Sequence, residues 1–387
     1  MDMKKHIQEE YYKIFAAKPE RLFFSPGRVN LIGEHTDYNG GFVFPCALDL
    51  GTYAAAARRD DGLIHLVSGN FELSCELALD NLDYNPAHEW ANYPKGVILE
   101  ILKMSYEIGG FNLYVWGDIP NGAGLSSSAS LLMITAIAIN SLFNCNIPVK
   151  EMALLSQRAE NHYMNVNCGI MDQYTVGFGK KDHALLLDCQ ELSHEYVPLK
   201  LGDYMIMIAN TNKQRGLSDS KYNERRAECE AALAILQKKC DVKSLCKLDP
   251  KTFEDHKGLI TDPVLLKRAE HAVYENARTV EAVNILNSGD IKQFGKMMND
   301  SHVSLRDLYE VTGFELDTLA EAAWEFEGVL GSRMTGAGFG GCTVSIVHKD
   351  AAEGFEEFVG REYFRRTGLA AGFIKARTGD GAGEISR

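Results

Sequence analysis

Asp118-Ile119-Pro120-Asn121-Gly122-Ala123-Gly124-Leu125-Ser126-Ser127-Ser128-Ala129-Ser130 is the stretch on which the reading of this chain turns. Before it, Phe111-Asn112-Leu113-Tyr114-Val115-Trp116 has the composition of a strand. After it, Leu131-Leu132-Met133-Ile134-Thr135-Ala136-Ile137-Ala138-Ile139 continues as an apolar helix. Glycines at such a junction let backbone N–H groups turn inward, and a helix start adds unpaired donors and the positive end of its dipole. Ser126, Ser127 and Ser128 add three hydroxyls as donors or metal ligands. Strand, glycine turn and helix N-terminus in this order make a phosphate-binding device. The competing reading is a serine-rich cap on a buried helix. No GxxxxGK[ST] occurs, and Ser127 stands where a third glycine would complete GxGxxG.

At 387 residues and 45% hydrophobic side chains, the chain can bury two ordinary cores, and the expected division is residues 1–200 and 201–387. A net charge of −13 argues against nucleic acid, whose backbone needs clustered Lys and Arg, but not against a nucleotide held by local donors. Nine scattered cysteines without a CxxC pair suit reduced thiols. The first ten residues are charged without a leader-like apolar core, and the longest apolar run, 131–139, is too short to span a bilayer. A cytoplasmic protein with no membrane partner is expected.

Upstream, Gly27-Arg28-Val29-Asn30-Leu31-Ile32-Gly33-Glu34-His35-Thr36-Asp37-Tyr38-Asn39 crowds Arg28, Asn30, Glu34, His35 and Asp37 into ten residues between apolar runs. Such crowding in a glycine-rich loop suits a ligand site, and surface ion pairing is the alternative. A helical pattern over 149–161, with Met152, Leu155 and Ala159 on one face, leads into Val166-Asn167-Cys168-Gly169-Ile170-Met171-Asp172-Gln173. Asp172 there could equally be an ordinary turn aspartate. Residues 4–17 and 90–104 read as helices, and 52–67 as two strands around the hairpin signal Asp60-Asp61-Gly62. Further strands are expected at 184–189, 195–199 and 204–210, and helices at 263–287, 291–309 and 316–326, with stops at Gly289, Gly313 and Gly328. Gly336, Gly338 and Gly341 satisfy GxGxxG. They run into the β-branched strand Thr343-Val344-Ser345-Ile346-Val347 instead of a helix, which excludes a dinucleotide fingerprint.

Loop 120–128 resembles the second motif of the GHMP small-molecule kinases, Pro-x-Gly-x-Gly-Leu-Ser-Ser-Ser. Residues 27–45 resemble the galactokinase signature within that family, and Cys168-Gly169-Ile170-Met171-Asp172-Gln173 is similar to its segment carrying the catalytic aspartate. Residues 331–342 resemble the third motif, which packs against the nucleotide loop. The resemblance covers nearly the whole chain. It implies an α+β, two-domain GHMP kinase fold with mixed sheets and helices and an active site in the interdomain cleft. It also implies ATP-dependent phosphorylation of the anomeric hydroxyl of galactose to galactose 1-phosphate, by a monomer that uses Mg²⁺. The roles implied are catalysis for Asp172 and Arg28, and sugar binding for Glu34, His35, Thr36, Asp37, Gly169 and Tyr222. Gly122, Ala123, Gly124, Leu125, Ser126, Ser127 and Ser128 would hold the nucleotide, with Ser128 and Glu160 on the metal. Without the resemblance, Tyr222 at a helix start reads as a packing residue. Gly40 and Leu132 depart from the family pattern, which more often has Asp and Glu there; Gly40 lies past the polar cluster, whereas Leu132 bears on how the nucleotide is held.

Phosphoryl transfer has a loose transition state, so the protein mainly positions groups and neutralises charge. A neighbouring Arg favours the carboxylate form of an Asp and weakens it as a base. Asp172 is therefore expected to aim the attacking hydroxyl and accept its proton late, while Arg28 stabilises charge at the transferring group. Two other readings stand beside this one: a GHMP kinase for another sugar such as N-acetylgalactosamine, and a catalytically weak galactose and ATP sensor. A sensor would be marked by loss of the serine-rich loop, whereas this chain keeps Ser126, Ser127 and Ser128 with Glu160, Asp172 and Arg28.

Overall fold

A computed structural model of the chain describes residues 2–120, 123–213 and 218–385. Asp2 caps the first helix, its carboxylate accepting from Lys4 N at 3.1 Å, and α1 (Met3–Phe15) buries Ile7 and Tyr11, one turn apart. The chain then forms β1 (Arg21–Asn30), β2 (Phe42–Val43), β3 (Pro45–Arg59), β4 (Leu63–Ser68), β5 (Ser74–Ala78), α2 (Asn92–Lys103) and β6 (Gly110–Gly117). Three helices follow: α3 (Ser127–Phe143), α4 (Val149–Arg158) and α5 (Met171–Phe178). Strands β7 (His183–Asp188), β8 (Ser193–Pro198) and β9 (Tyr204–Asn210) precede α6 (Ser218–Leu236), α7 (Pro250–His256), α8 (Pro263–Ser288), α9 (Ile291–Ser304) and α10 (Phe314–Glu325). The remaining elements are β10 (Val329–Thr335), β11 (Cys342–His348), α11 (Ala352–Thr367), β12 (Gly372–Ala376) and β13 (Gly383–Glu384).

The strands form three sheets, ordered β13-β1-β3-β6-β4-β5, β10-β11-β9-β12 and β2-β7-β8. The hairpin expected around Asp60-Asp61-Gly62 does not form. The chain does reverse there, but β6 inserts between β3 and β4, pairing antiparallel with the first and parallel with the second. A turn signal reports only local reversal; the partner is chosen by apolar faces, and β6 supplies Phe111, Leu113 and Val115 to the core. The parallel pairing of β4 with β6 requires a crossover, which contains α2.

Helix α3 is apolar nearly all round because it runs through that core. Leu132, Met133, Ile134 and Ala136 are fully buried, together with Ala54, Ala56 and Leu113 of the large sheet. Leu132 thus occupies a purely packing position. A second core joins the two halves of the chain: Val29, Leu31 and Leu125 pack with Ile208, Val344 and Ile346 of the four-stranded sheet and Phe294 of α9. This shared core brings the end of β1, the serine-rich loop and the turn between β10 and β11 to one place.

Candidate active site

Ser126 takes the N-cap position of α3 with a φ of 62°, yet no side chain caps that helix. Its hydroxyl instead donates to Asp172 Oδ2 at 2.6 Å. The plain-cap reading fails here, and the first N–H groups of α3 are left without a side-chain partner, as an anion site requires. Ser126 itself, expected on the phosphates, directs its hydroxyl to the aspartate. Asp172 lies in the first turn of α5. Arg28 grips it with two bonds, Nε to Oδ1 at 2.8 Å and Nη2 to Oδ2 at 2.6 Å, and donates from Nη1 to Gly124 O at 2.8 Å. One buried guanidinium therefore fixes the carboxylate against the loop with planar, two-point geometry. Ala123 and Leu125 are buried in that loop, and Leu125 O accepts from Arg28 N at 3.1 Å. Gly122 lies outside the described residues.

Beside Asp172 opens a cavity lined by Arg28, Glu34, His35, Asp37, Glu160, Gly169 and Tyr222. His35, at φ 61°, has Nδ1 3.0 Å from Tyr38 Oη, while its buried Nε2 meets no protein partner. Burial pushes its pKa well below the usual range, helped by neighbouring His271 and Arg333, so the ring is held neutral. Glu34 is buried and threefold engaged. Gly336 N donates to Oε1 at 2.8 Å and Asn30 Nδ2 to Oε2 at 3.1 Å, and Arg333 Nη2 stands 2.8 Å from Oε2. Burial raises the Glu34 pKa against the opposing charges of Arg333 and Arg28. Asp37 is pushed up to about 7 by burial and by Asp172. Gly169 approaches it so closely that a Cβ would overlap its carboxylate. Tyr222, on α6, sets its ring 5.7 Å from His35 and 5.4 Å from Tyr38, and burial pushes its pKa well up, keeping it a phenol. Thr36 is not brought to this cavity. Its Oγ1 lies 2.9 Å from Gly33 O and 2.7 Å from Phe42 O, closing the loop on itself.

A second cavity adjoins the first on the other side of the serine-rich loop. Ser127, Ser128 and Leu131 form its floor, and Trp90, Tyr93, Phe71 and Asn70 its walls. Glu160 lies in a single π-type turn, 159–163, that extends α4. Gln173 Nε2 donates to its Oε2 at 2.6 Å, and among the described residues no Lys or Arg forms an ion pair with it. Burial raises its pKa to about 7, opposed by the Ser128 hydroxyl and reinforced by Asp172. The turn between β10 and β11 adds Gly336 and Ala337 to the lining of the first cavity. Gly336, at φ 84°, packs so that a Cβ there would lie 2.9 Å from Gly124 O.

Sequence reasoning missed Arg333, although it lies within the third glycine-rich stretch. It also missed the aromatic walls, whose only signal was Trp90 and Tyr93 at helical spacing in a segment read simply as a helix.

Three family models match the chain: the galactokinase galactose-binding signature at residues 9–58, the GHMP kinases N terminal domain at 92–180 and the GHMP kinases C terminal at 280–366. The chain is 55% identical over 388 residues to a galactokinase of Fusobacterium nucleatum, covering 99% of this chain and 100% of that one. It is 54% identical over 389 residues to a galactokinase of Clostridium acetobutylicum, covering 100% of both. Its structure superposes on Lactococcus lactis galactokinase complexed with galactose with a TM-score of 0.97, at 46% identity, over 99% of this chain and 100% of that one. The Methanococcus jannaschii mevalonate kinase, 20% identical, shares the fold with a TM-score of 0.67 over 93% of this chain and 98% of that one.

Proposed function

The chain belongs to the galactokinases, within the GHMP kinases, and phosphorylates galactose; from that premise we infer how its own residues divide the work. Galactose occupies the cavity of Glu34, His35, Asp37 and Tyr222, and ATP occupies the aromatic cavity with its phosphates over the α3 N-terminus. Asp172 accepts a hydrogen bond from the anomeric hydroxyl and aims its oxygen at the γ-phosphorus. As the new O–P bond forms, the bond from the γ-phosphorus to the bridging oxygen breaks, its electron pair leaves with ADP, and the hydroxyl proton passes to Asp172. Arg28 keeps that carboxylate in one orientation and places positive charge beside the transferring group. The observation that carries this reading is the two-bond Arg28–Asp172 pair, which lines the polar cavity and is tied through Gly124 and Ser126 to the serine-rich loop, whose Ser127 and Ser128 line the aromatic one.

Mg²⁺ fits the donors present. Glu160 is a buried carboxylate with neutral partners that lines the polar cavity and lies next to the hydroxyl of Ser128, which lines the aromatic one. Hard oxygen donors in small number suit an ion that keeps several waters. Ser128 and Glu160 would hold it, and when bound it neutralises phosphate charge. Among the described residues no cluster of three or more His, Cys, Asp or Glu side chains forms a metal cage. The test is ATP consumption against a panel of free sugars, with the phosphorylated position read by NMR. Turnover with galactose, giving the 1-phosphate, is expected. Preference for an N-acetylated or pentose sugar would overturn the assignment of the pocket.

A further inference from the structure

Lys95 on α2 is fully buried and forms no ion pair among the described residues. Its ammonium has three donors and finds three neutral acceptors: Asp83 O, His88 Nδ1 at 3.0 Å and Asn92 Oδ1 at 3.3 Å. Burying an ammonium outside an ion pair is costly, and burial lowers the Lys95 pKa against the charges of Cys75 and Asp83; its hydrogen bonds offset that cost by tying it to one stretch of chain. All three acceptors belong to one segment, the approach to α2. That segment also contains a strained peptide, Glu89 at φ 39° and ψ −115° inside the 3-10 turn Pro86–Ala91. Strain of this kind persists only where the surroundings over-determine it. The segment is cross-tied further, by Asn92 Nδ2 to Asn85 O at 2.7 Å and by Tyr163 Oη to Leu82 O at 2.6 Å. Immediately after the strained residue comes Trp90. Its indole N–H donates to Leu73 O at 2.9 Å, and its ring walls the aromatic cavity with Tyr93.

We propose that Lys95 is a positioning residue for the nucleotide: it pins residues 83–92 in the strained path that stands Trp90 against the base. The proposal rests on the reading that the base occupies the cavity of Trp90 and Tyr93. An ammonium with three fixed acceptors at different points of one loop leaves that loop a single conformation, which the strained peptide at Glu89 alone would abandon.

The test is steady-state kinetics of Lys95→Met, His88→Ala and Trp90→Leu, each with ATP and GTP varied at saturating galactose, then galactose varied at saturating ATP. Lys95→Met should raise the ATP KM by roughly tenfold or more, as expected for losing charged hydrogen bonds. The galactose KM and the kcat at saturating ATP should stay within about twofold of wild type, and discrimination between ATP and GTP should shrink. His88→Ala, which removes one of the three acceptors at a part-exposed position, should shift the same parameters less. It also serves as the informative variant if Lys95→Met fails to fold. If Trp90→Leu leaves the ATP KM unchanged, the base lies elsewhere and the cavity assignment fails with the proposal. If Trp90→Leu raises the ATP KM while Lys95→Met and His88→Ala do not, the cavity assignment stands and the role of Lys95 is refuted. An equal loss of kcat and of galactose affinity in Lys95→Met would also refute it, as the mark of general damage.

Discussion

Asp172 is held by Arg28 on both carboxylate oxygens and by Ser126 on one of them. Asp172→Asn keeps the shape but removes the charge and the proton acceptor. General-base assistance contributes about 10²–10⁴-fold, so kcat should fall by at least that order. Isothermal titration should still find galactose bound within a few-fold, because Glu34, His35, Asp37 and Tyr222 line the rest of the cavity. Near-normal kcat in a folded variant would place the base elsewhere. Asp37 offers a second test, through pH. In the folded chain burial and Asp172 raise its pKa to about 7. In the unfolded chain an Asp titrates near roughly 4. Between those values the folded state binds the extra proton, so this group's contribution to stability is present at the lower pH and is lost as pH rises through about 7. Asp37→Asn has no proton to lose. Its Tm relative to wild type, measured without ligands, should therefore climb by several degrees between pH 5 and pH 8. A difference that does not change with pH would show that Asp37 titrates normally.

At the level of elements, the turn joining β10 to β11 lies on the serine-rich loop through Gly336. Gly336→Ala meets two obstacles at once, a left-handed φ of 84° and a Cβ 2.9 Å from Gly124 O. The loop must yield, so the ATP KM should rise by about an order of magnitude with a smaller change for galactose; equal changes in both would mean that the turn does not act on the loop. For the metal, Ser128→Ala and Glu160→Ala should each raise the Mg²⁺ concentration needed for half-maximal rate well beyond any change in galactose affinity. An unchanged Mg²⁺ titration in both would remove them from the metal site. How legible these parts were depended on sequence distance. The serine-rich loop and the cluster from Arg28 to Asp37 announce themselves because the chemistry lies within a dozen neighbouring residues. Glu34, by contrast, meets Gly336 across 302 positions, and Gly33 N reaches Glu275 across 242. No local pattern marks such partners. Thr36 sits inside the motif, yet its hydroxyl goes to Gly33 O and Phe42 O, a local closure that its motif position does not reveal. The strands β3 and β4 misled because a turn signal is silent about which strand fills the space between them.

On the scale of the whole molecule, the fold is a cleft whose walls share a core, with Val29 and Leu125 packed against Ile208 and Val344. The chain also crosses back between its halves, since β13 pairs with β1 at Phe23 and Phe24. Around that return, Gly379 N donates to Ala47 O, Gly381 N to Gly179 O, Ala382 N to Val176 O and Ile385 N to Leu22 O, and Arg21 pairs with Glu384 at 2.8 Å. Removing residues 378–387 should lower the Tm by several degrees and loosen amide-exchange protection in β1 and β3. Unchanged protection would show that the return adds nothing to the large sheet. The same pairing sets a timetable for biosynthesis. The N-terminal partner emerges from the ribosome early, and Glu384 is added more than 350 residues after Asn30. At roughly 5–20 residues per second, that interval is on the order of 20–70 s. Throughout it Phe23 and Phe24 lack the edge partner they have in the finished fold, a short stretch of unpaired backbone of the kind that recruits a neighbouring polypeptide.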